Sequence, residues 1–153
     1  MNDRYLFKAK RIDNGKWVQG YLFDDGFENG RMFVGGLVVE KYIGAACDDC
    51  TVTGTNFCEI DPSTICKCTG LKDKNGKLIW ENDVVKFDVY YYGKLESSTI
   101  SQIKWCNDLC ALSLVVNGRG TRGTLGHLMD LNKEIEVIGN IFDNPELVKN
   151  KEN

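Results

Sequence analysis

TGLKDKNGKLIWENDVVKF, residues 69–87, decides how this chain folds, because its acidic residues admit two opposed readings. Asp73, Glu81 and Asp83 lie close in sequence, and paired carboxylates serve general acid/base chemistry or metal binding. Their neighbours favour a backbone purpose instead. Asp73 opens the run Asp73-Lys74-Asn75-Gly76, in which an Asp side chain accepts a backbone N–H while Asn75 and Gly76 suit the later positions of a tight turn. Glu81-Asn82-Asp83 falls between two apolar segments and reads as a second turn, with Asn82 as the residue that tolerates positive φ. Beyond it Val85, Phe87, Val89 and Tyr91 share one face of a strand, and Lys86, Asp88 and Tyr90 share the other. The stretch therefore builds hairpins, with Asp73, Asn75, Gly76, Asn82 and Asp83 as turn residues.

The same grammar extends outward. Asn-Gly pairs at 14–15, 29–30, 75–76 and 117–118 punctuate short runs rich in Val, Ile, Phe, Tyr and Trp, and only two prolines occur. YLFKAKRI and KWVQGYLF form a hairpin about Asn14-Gly15, and RMFVGGLVVEKYIG supplies a third and a fourth strand. Residues 44–63 mix small, polar and cysteine residues with little periodicity and read as a long connection with at most short strands. STISQIKW, CALSLVV and EIEVIGNIF are further strands, the last with Ile135, Val137, Gly139 and Ile141 in one register. Asn144 before Pro145 is an N-cap with proline at the first helical position, so a single helical turn closes the fold, and GTLGHLMDLNK holds one more short helix. The reading is all-β with one or two short helical turns.

TGLKDKNGKLIWENDVVKF followed by IEVIGNIFDNPEL resembles the YopX family of phage and prophage proteins, and FKAKRIDNGKWVQGYLF resembles that family's opening hairpin. The family pattern has Gly where this chain has Asn82, and both residues tolerate the left-handed conformation, so the departure fits a turn. The resemblance implies two β-subdomains, a complex coiled sheet and an SH3-like barrel, often in a homo-oligomer, and it carries no catalytic residues. We place the division at residues 1–66 and 67–153.

A net charge of −3 and a pI near 5.2 lack the basic field of a phosphate-binding protein. No apolar run is long enough to span a bilayer, and MNDRYLFKAKR lacks the apolar core of a secretion signal, so the expected location is the cytoplasm of a bacterial host. Seven cysteines in such a setting are thiols or metal ligands rather than disulfides. Cys47-Asp-Asp-Cys50 has the spacing of a zinc knuckle, and Cys66 and Cys68 would complete four thiolates. Against this, Cys66-Lys67-Cys68 is expected to turn its two thiols to opposite faces of a strand, and buried inert thiols are preferred. His127, the only histidine, has nothing beside it that marks a general base.

Arg119 and Arg122, in NGRGTRGTLG, would be the place for an anion if the expected surface loop binds one. Tyr90-Tyr91-Tyr92 has one aromatic face too many for a monomeric core and is the expected interface. The function expected is therefore non-enzymatic, by homo-oligomeric assembly or binding of a protein partner, with no cofactor, nucleic acid or membrane. The alternative is a small zinc-stabilised nucleic-acid- or protein-binding module built on Cys47, Cys50, Cys66 and Cys68. Gly76→Val should lower stability by about 1–3 kcal/mol, because a β-branched residue resists positive φ. An unchanged thermal midpoint would mean that the 73–77 turn is misread.

Overall fold

The structure, a computed structural model of the chain, describes residues 3–28, 30–41, 51–91, 94–116, 119–126 and 134–148. Its strands belong to two antiparallel sheets, and the chain divides into two compact units, residues 5–67 and residues 1–4 with 68–153. Helix among the described residues is confined to short pieces, such as the 3-10 turns Pro62–Thr64 and Pro145–Leu147. The all-β reading holds.

In the unit of residues 5–67, β1 (Phe7–Lys10) and β2 (Trp17–Asp24) form the hairpin expected from the first Asn-Gly pair. Gly15 sits at φ +67°, and Asn14 Oδ1 accepts the Lys16 N–H at 2.9 Å. The second half of β2 changes partner, from β1 to β3 (Met32–Lys41), with Tyr21 opposite Gly35 and Asp24 opposite Met32. RMFVGGLVVEKYIG thus supplies one long strand rather than two. Residues 44–63 are also more than a connection, because β4 (Thr51–Glu59) pairs with β3 from Lys41↔Thr51 to Phe33↔Glu59. Thr51, Val52, Thr53 and Thr55 are β-branched and suit a pleated strand, but threonine carries no hydrophobic period by which to see one.

The core of this unit forms on one side of the sheet. Ala9, Val34 and Ile60 are fully buried there, with Phe7, Val18, Leu22, Met32 and Ile65 packed against them. Where β2 changes partner, two glycines bring backbones together. A Cβ on Gly20 would run into the Gly35 carbonyl, and a Cβ on Gly35 into the Asn56 carbonyl.

β5 (Cys66–Lys72) is divided between the units by its pairing. Lys67 and Cys66 lie opposite Phe7 and Lys8 of β1, while Cys68 and Lys72 lie opposite Trp80 and Leu78 of β6 (Leu78–Trp80). The other unit continues with β7 (Asp83–Tyr91), β8 (Lys94–Cys106), β9 (Ala111–Val116), β10 (Arg119–Thr124) and β11 (Glu136–Asn140). The strand order is β10-β9-β8-β7-β11. These pairings describe an open sheet, with β10 and β11 at its edges among the described residues.

Ile79, Val85, Phe87, Ile103, Leu114, Leu125 and Ile135 make the core of this unit. Val85 and Phe87 are buried and Lys86 is exposed, as the alternation in β7 requires. Two expectations fail here. Residues 119–124 are a strand paired with β9, where a glycine-rich loop was expected. In β11 a bulge between Val137 and Gly139 breaks the common register of Ile135 to Ile141. Asn144 does precede a 3-10 turn opened by Pro145, but its side chain makes no capping bond. Asn140 holds the preceding turn instead, its Oδ1 accepting the N–H groups of Phe142 and Asp143 at 2.9 Å each. The helix expected within residues 123–133 falls largely outside the described residues.

Gly35→Ala should cost about 1–3 kcal/mol, because the obstructing atom is a backbone carbonyl that cannot swing aside. A urea midpoint that falls with unchanged slope would show it.

Candidate functional site

Two of the three acids of residues 69–87, Asp73 and Asp83, are occupied by backbone. Asp73 is 6 % exposed, and its Oδ1 accepts the N–H groups of Asn75 at 2.8 Å and Lys77 at 2.9 Å. Its Oδ2 accepts the Val137 N–H at 3.1 Å, from a strand 64 residues further along the chain. The turn closes with Gly76 N–H donating to the Asp73 carbonyl at 2.9 Å, and Gly76 takes φ +79°. Burial pushes the Asp73 carboxyl up, but donation from Val137, Lys77 and Asn75 outweighs it and leaves the group below the usual aspartate value. Beside it Lys74 Nζ pairs with Glu136 at 2.8 Å, and that hydrogen bond raises the lysine.

The second turn is equally committed. Asn82 stands at φ +68°, its N–H donates to the Ile103 carbonyl at 2.8 Å, and its own carbonyl accepts from Ile141 at 3.1 Å. Its side-chain oxygen accepts from Gln102 Nε2 at 3.0 Å. Asp83 is 1 % exposed, and its Oδ2 accepts the Trp80 N–H at 2.9 Å. Carboxylates engaged in this way position backbone, and neither acid is presented to a substrate.

Cys66 and Cys68 are both buried while Lys67 is exposed, so the thiols share a face of β5. The expected divergence was wrong, since alternate residues of a strand lie on the same side. Cys66 Sγ donates to the Thr64 carbonyl at 3.4 Å. Cys47, Cys50 and His127 lie outside the described residues, and among the described ones no group of three His, Cys, Asp or Glu side chains is placed to hold a metal ion. The backbones of Arg119 and Arg122 belong to β10, and those of Tyr90 and Tyr91 to β7. Tyr92 lies outside the described residues.

The surface that sequence reasoning missed is the outer side of the sheet in residues 5–67. Val18 and Leu22 face the core, so Trp17, Gln19, Tyr21 and Phe23 face away from it, and Tyr21 and Phe23 are exposed. The register places Tyr21, Gly35 and Phe57 in one row across three strands, and Phe23, Phe33 and Glu59 in the next. Phe23 meets Phe57 edge to face with ring centroids 5.0 Å apart. Phe57 also lines an open groove of about 220 Å³ with Arg11, Ile12, Asp13, Cys58 and Glu59. Arg11 is bound to Asp13 through paired hydrogen bonds that raise the guanidinium and lower the carboxylate. In the β2–β3 turn Arg31 pairs with Asp25 at 3.3 Å and lies over the Phe33 ring at 5.7 Å. The signal was present in WVQGYLF, an alternating strand with apolar residues on both faces.

Comparison with known proteins adds to this geometry. The sequence model of a family described as YopX protein matches residues 34–149. Protein EF1440 from Enterococcus faecalis, a solved crystal structure, is similar in fold with a TM-score of 0.50 and 20% sequence identity, over 94% of this chain and 96% of that one. No curated protein matched the chain.

Asp73→Asn should cost about 1–3 kcal/mol at neutral pH, because three main-chain N–H donors lose an ionised acceptor. The native carboxyl is depressed, so its stabilisation is present above the unfolded value near pH 4 and lost as pH falls through the lower folded value. Urea unfolding of both proteins between neutral and acid pH should show the gap between them closing below about pH 4.

Proposed function

The chain belongs to the YopX family, and from that membership we propose that it acts without catalysis, as a phage- or prophage-derived protein of the bacterial cytoplasm that assembles into a homo-oligomer and needs no cofactor. The observation that carries the reading is the set of large aromatic side chains left exposed on one side of a sheet, with Phe23 at 47 %, Phe57 at 44 % and Tyr21 at 36 %. A contiguous apolar patch on a protein surface marks a site of contact with another molecule. The buried acids support the non-enzymatic half, since Asp73 and Asp83 already accept backbone N–H groups. No described helix is long and apolar enough to cross a membrane, which fits the reading without deciding the compartment.

Native mass spectrometry of protein purified without chelator tests this in one spectrum. Metal-free species of two or more subunits are the expected outcome. A chain that stays monomeric at every concentration up to well above the micromolar range would overturn the assembly, and one zinc per subunit would replace the reading with the cysteine-bound module.

A further inference from the structure

The outer face of β2, β3 and β4 has the composition of an interface core, and what it lacks indicates its partner. Its centre is aromatic, Tyr21, Phe23, Phe33 and Phe57, and Ile12 extends it across the groove at 60 % exposure. Charges of both signs border it: Arg11 is paired with Asp13 and Arg31 with Asp25, Glu59 lies in the row of Phe23 and Phe33, and Lys8 and Lys10 reach over Trp17 on the same side of the sheet. A border that mixes carboxylates with its cations offers no uniformly basic field to phosphates, which are held by clustered Lys and Arg. It does suit an apolar surface bordered in the same way. The chain carries a net charge of −3, so two copies repel at long range and can meet closely only where the charge is locally balanced. In a two-fold contact each Arg–Asp pair can exchange hydrogen bonds with the same pair, or the other pair, of the second copy, since an isologous interface presents one patch to itself.

We infer that this face is where a second copy of the chain docks, with Phe23 and Phe57 stacked against their counterparts about a two-fold axis. The inference rests on the assembly proposed above and names its surface, which differs from the Tyr90–Tyr92 stretch that the sequence suggested. Counting about 200 Å² for a fully exposed aromatic side chain, the exposed parts of Tyr21, Phe23, Phe57, Ile12 and neighbouring Phe27 amount to roughly 500 Å² per copy. A symmetric pair would bury about 1,000 Å², the lower limit of a specific interface, so the contact should dissociate on dilution through the micromolar range.

Sedimentation velocity of the full chain across that range tests the inference. Phe57→Glu and Tyr21→Lys replace exposed residues and should weaken self-association roughly tenfold or more, with unchanged circular dichroism. Ile100→Glu, at an equally exposed apolar position on β8, should leave association as it is. If the native chain associates and both outer-face variants associate equally well, the surface is wrong and the assembly stands. If the native chain stays monomeric throughout, the assembly and its surface fall together.

Discussion

The Asp73 carboxylate is the constraint on which the second unit depends. Two of its bonds are local and close a turn, and any Asp at the head of such a turn would make them. The third reaches Val137 in β11 and converts a local device into a tertiary one. Lys74 N–H donates to the Ile135 carbonyl at 2.9 Å just before that strand, and Ile141 N–H donates to the Asn82 carbonyl just after it. The two turns of residues 69–87 thus hold β11 at both ends, while β7, between β11 and β8 in the sheet, supplies the ladder along its length. The Asn82 turn also binds β8 through Ile103 and Gln102. One hairpin segment therefore fixes two strands remote from it in sequence. A buried carboxylate with three donors is tolerable for the same reason that it is effective, because every bond it makes satisfies a backbone group that would otherwise be stranded.

That arrangement explains which parts of the fold could be read in advance. Asn14-Gly15, Asn75-Gly76 and Asn82 sit where backbone must turn with positive φ, a demand that local chemistry alone expresses, and Gly15, Gly76 and Asn82 take those angles. The alternation of Val85, Lys86 and Phe87 was equally open, since one buried face writes itself into every second residue. The strand β4 was hidden because its Thr-rich sequence has β-propensity without hydrophobic period. The bulge in β11 was hidden because a register shift leaves composition unchanged. Asn140, not Asn144, holds the last turn, a choice between two asparagines four residues apart that depends on the backbone path. The reach of Asp73 to Val137 could not be read at all, since nothing in either neighbourhood names the other.

The aromatic face shows a different kind of blindness. Tyr90-Tyr91-Tyr92 is contiguous in sequence and shows its surplus aromatic face there, whereas Tyr21, Phe23, Phe33 and Phe57 are spread over three strands and become a group only when register brings them together. Gly35 contributes by being small: it stands between Tyr21 and Phe57 in the row, and Phe57 Cδ1 lies 2.7 Å from where its Cβ would be. A side chain there would push the Phe57 ring away from the sheet and from Phe23. The close backbone approach that the glycines permit and the packing of the exposed rings are therefore one feature, and a substitution at Gly35 would disturb both.

The division of labour between the units follows from where polar and apolar groups end. In residues 68–153 the conspicuous acids are turned inward, and their oxygens are taken by main-chain donors. On the outer side of the sheet in residues 5–67, Tyr21, Phe23 and Phe57 are turned outward, beside the Arg11–Asp13 and Arg31–Asp25 pairs. Exposed rings on a sheet add nothing to the core beneath it and leave apolar area facing water. A surface that covered those rings would have to be apolar itself and bordered by charges of both signs, and it would leave the Asp73 and Asp83 carboxylates to the backbone they already hold.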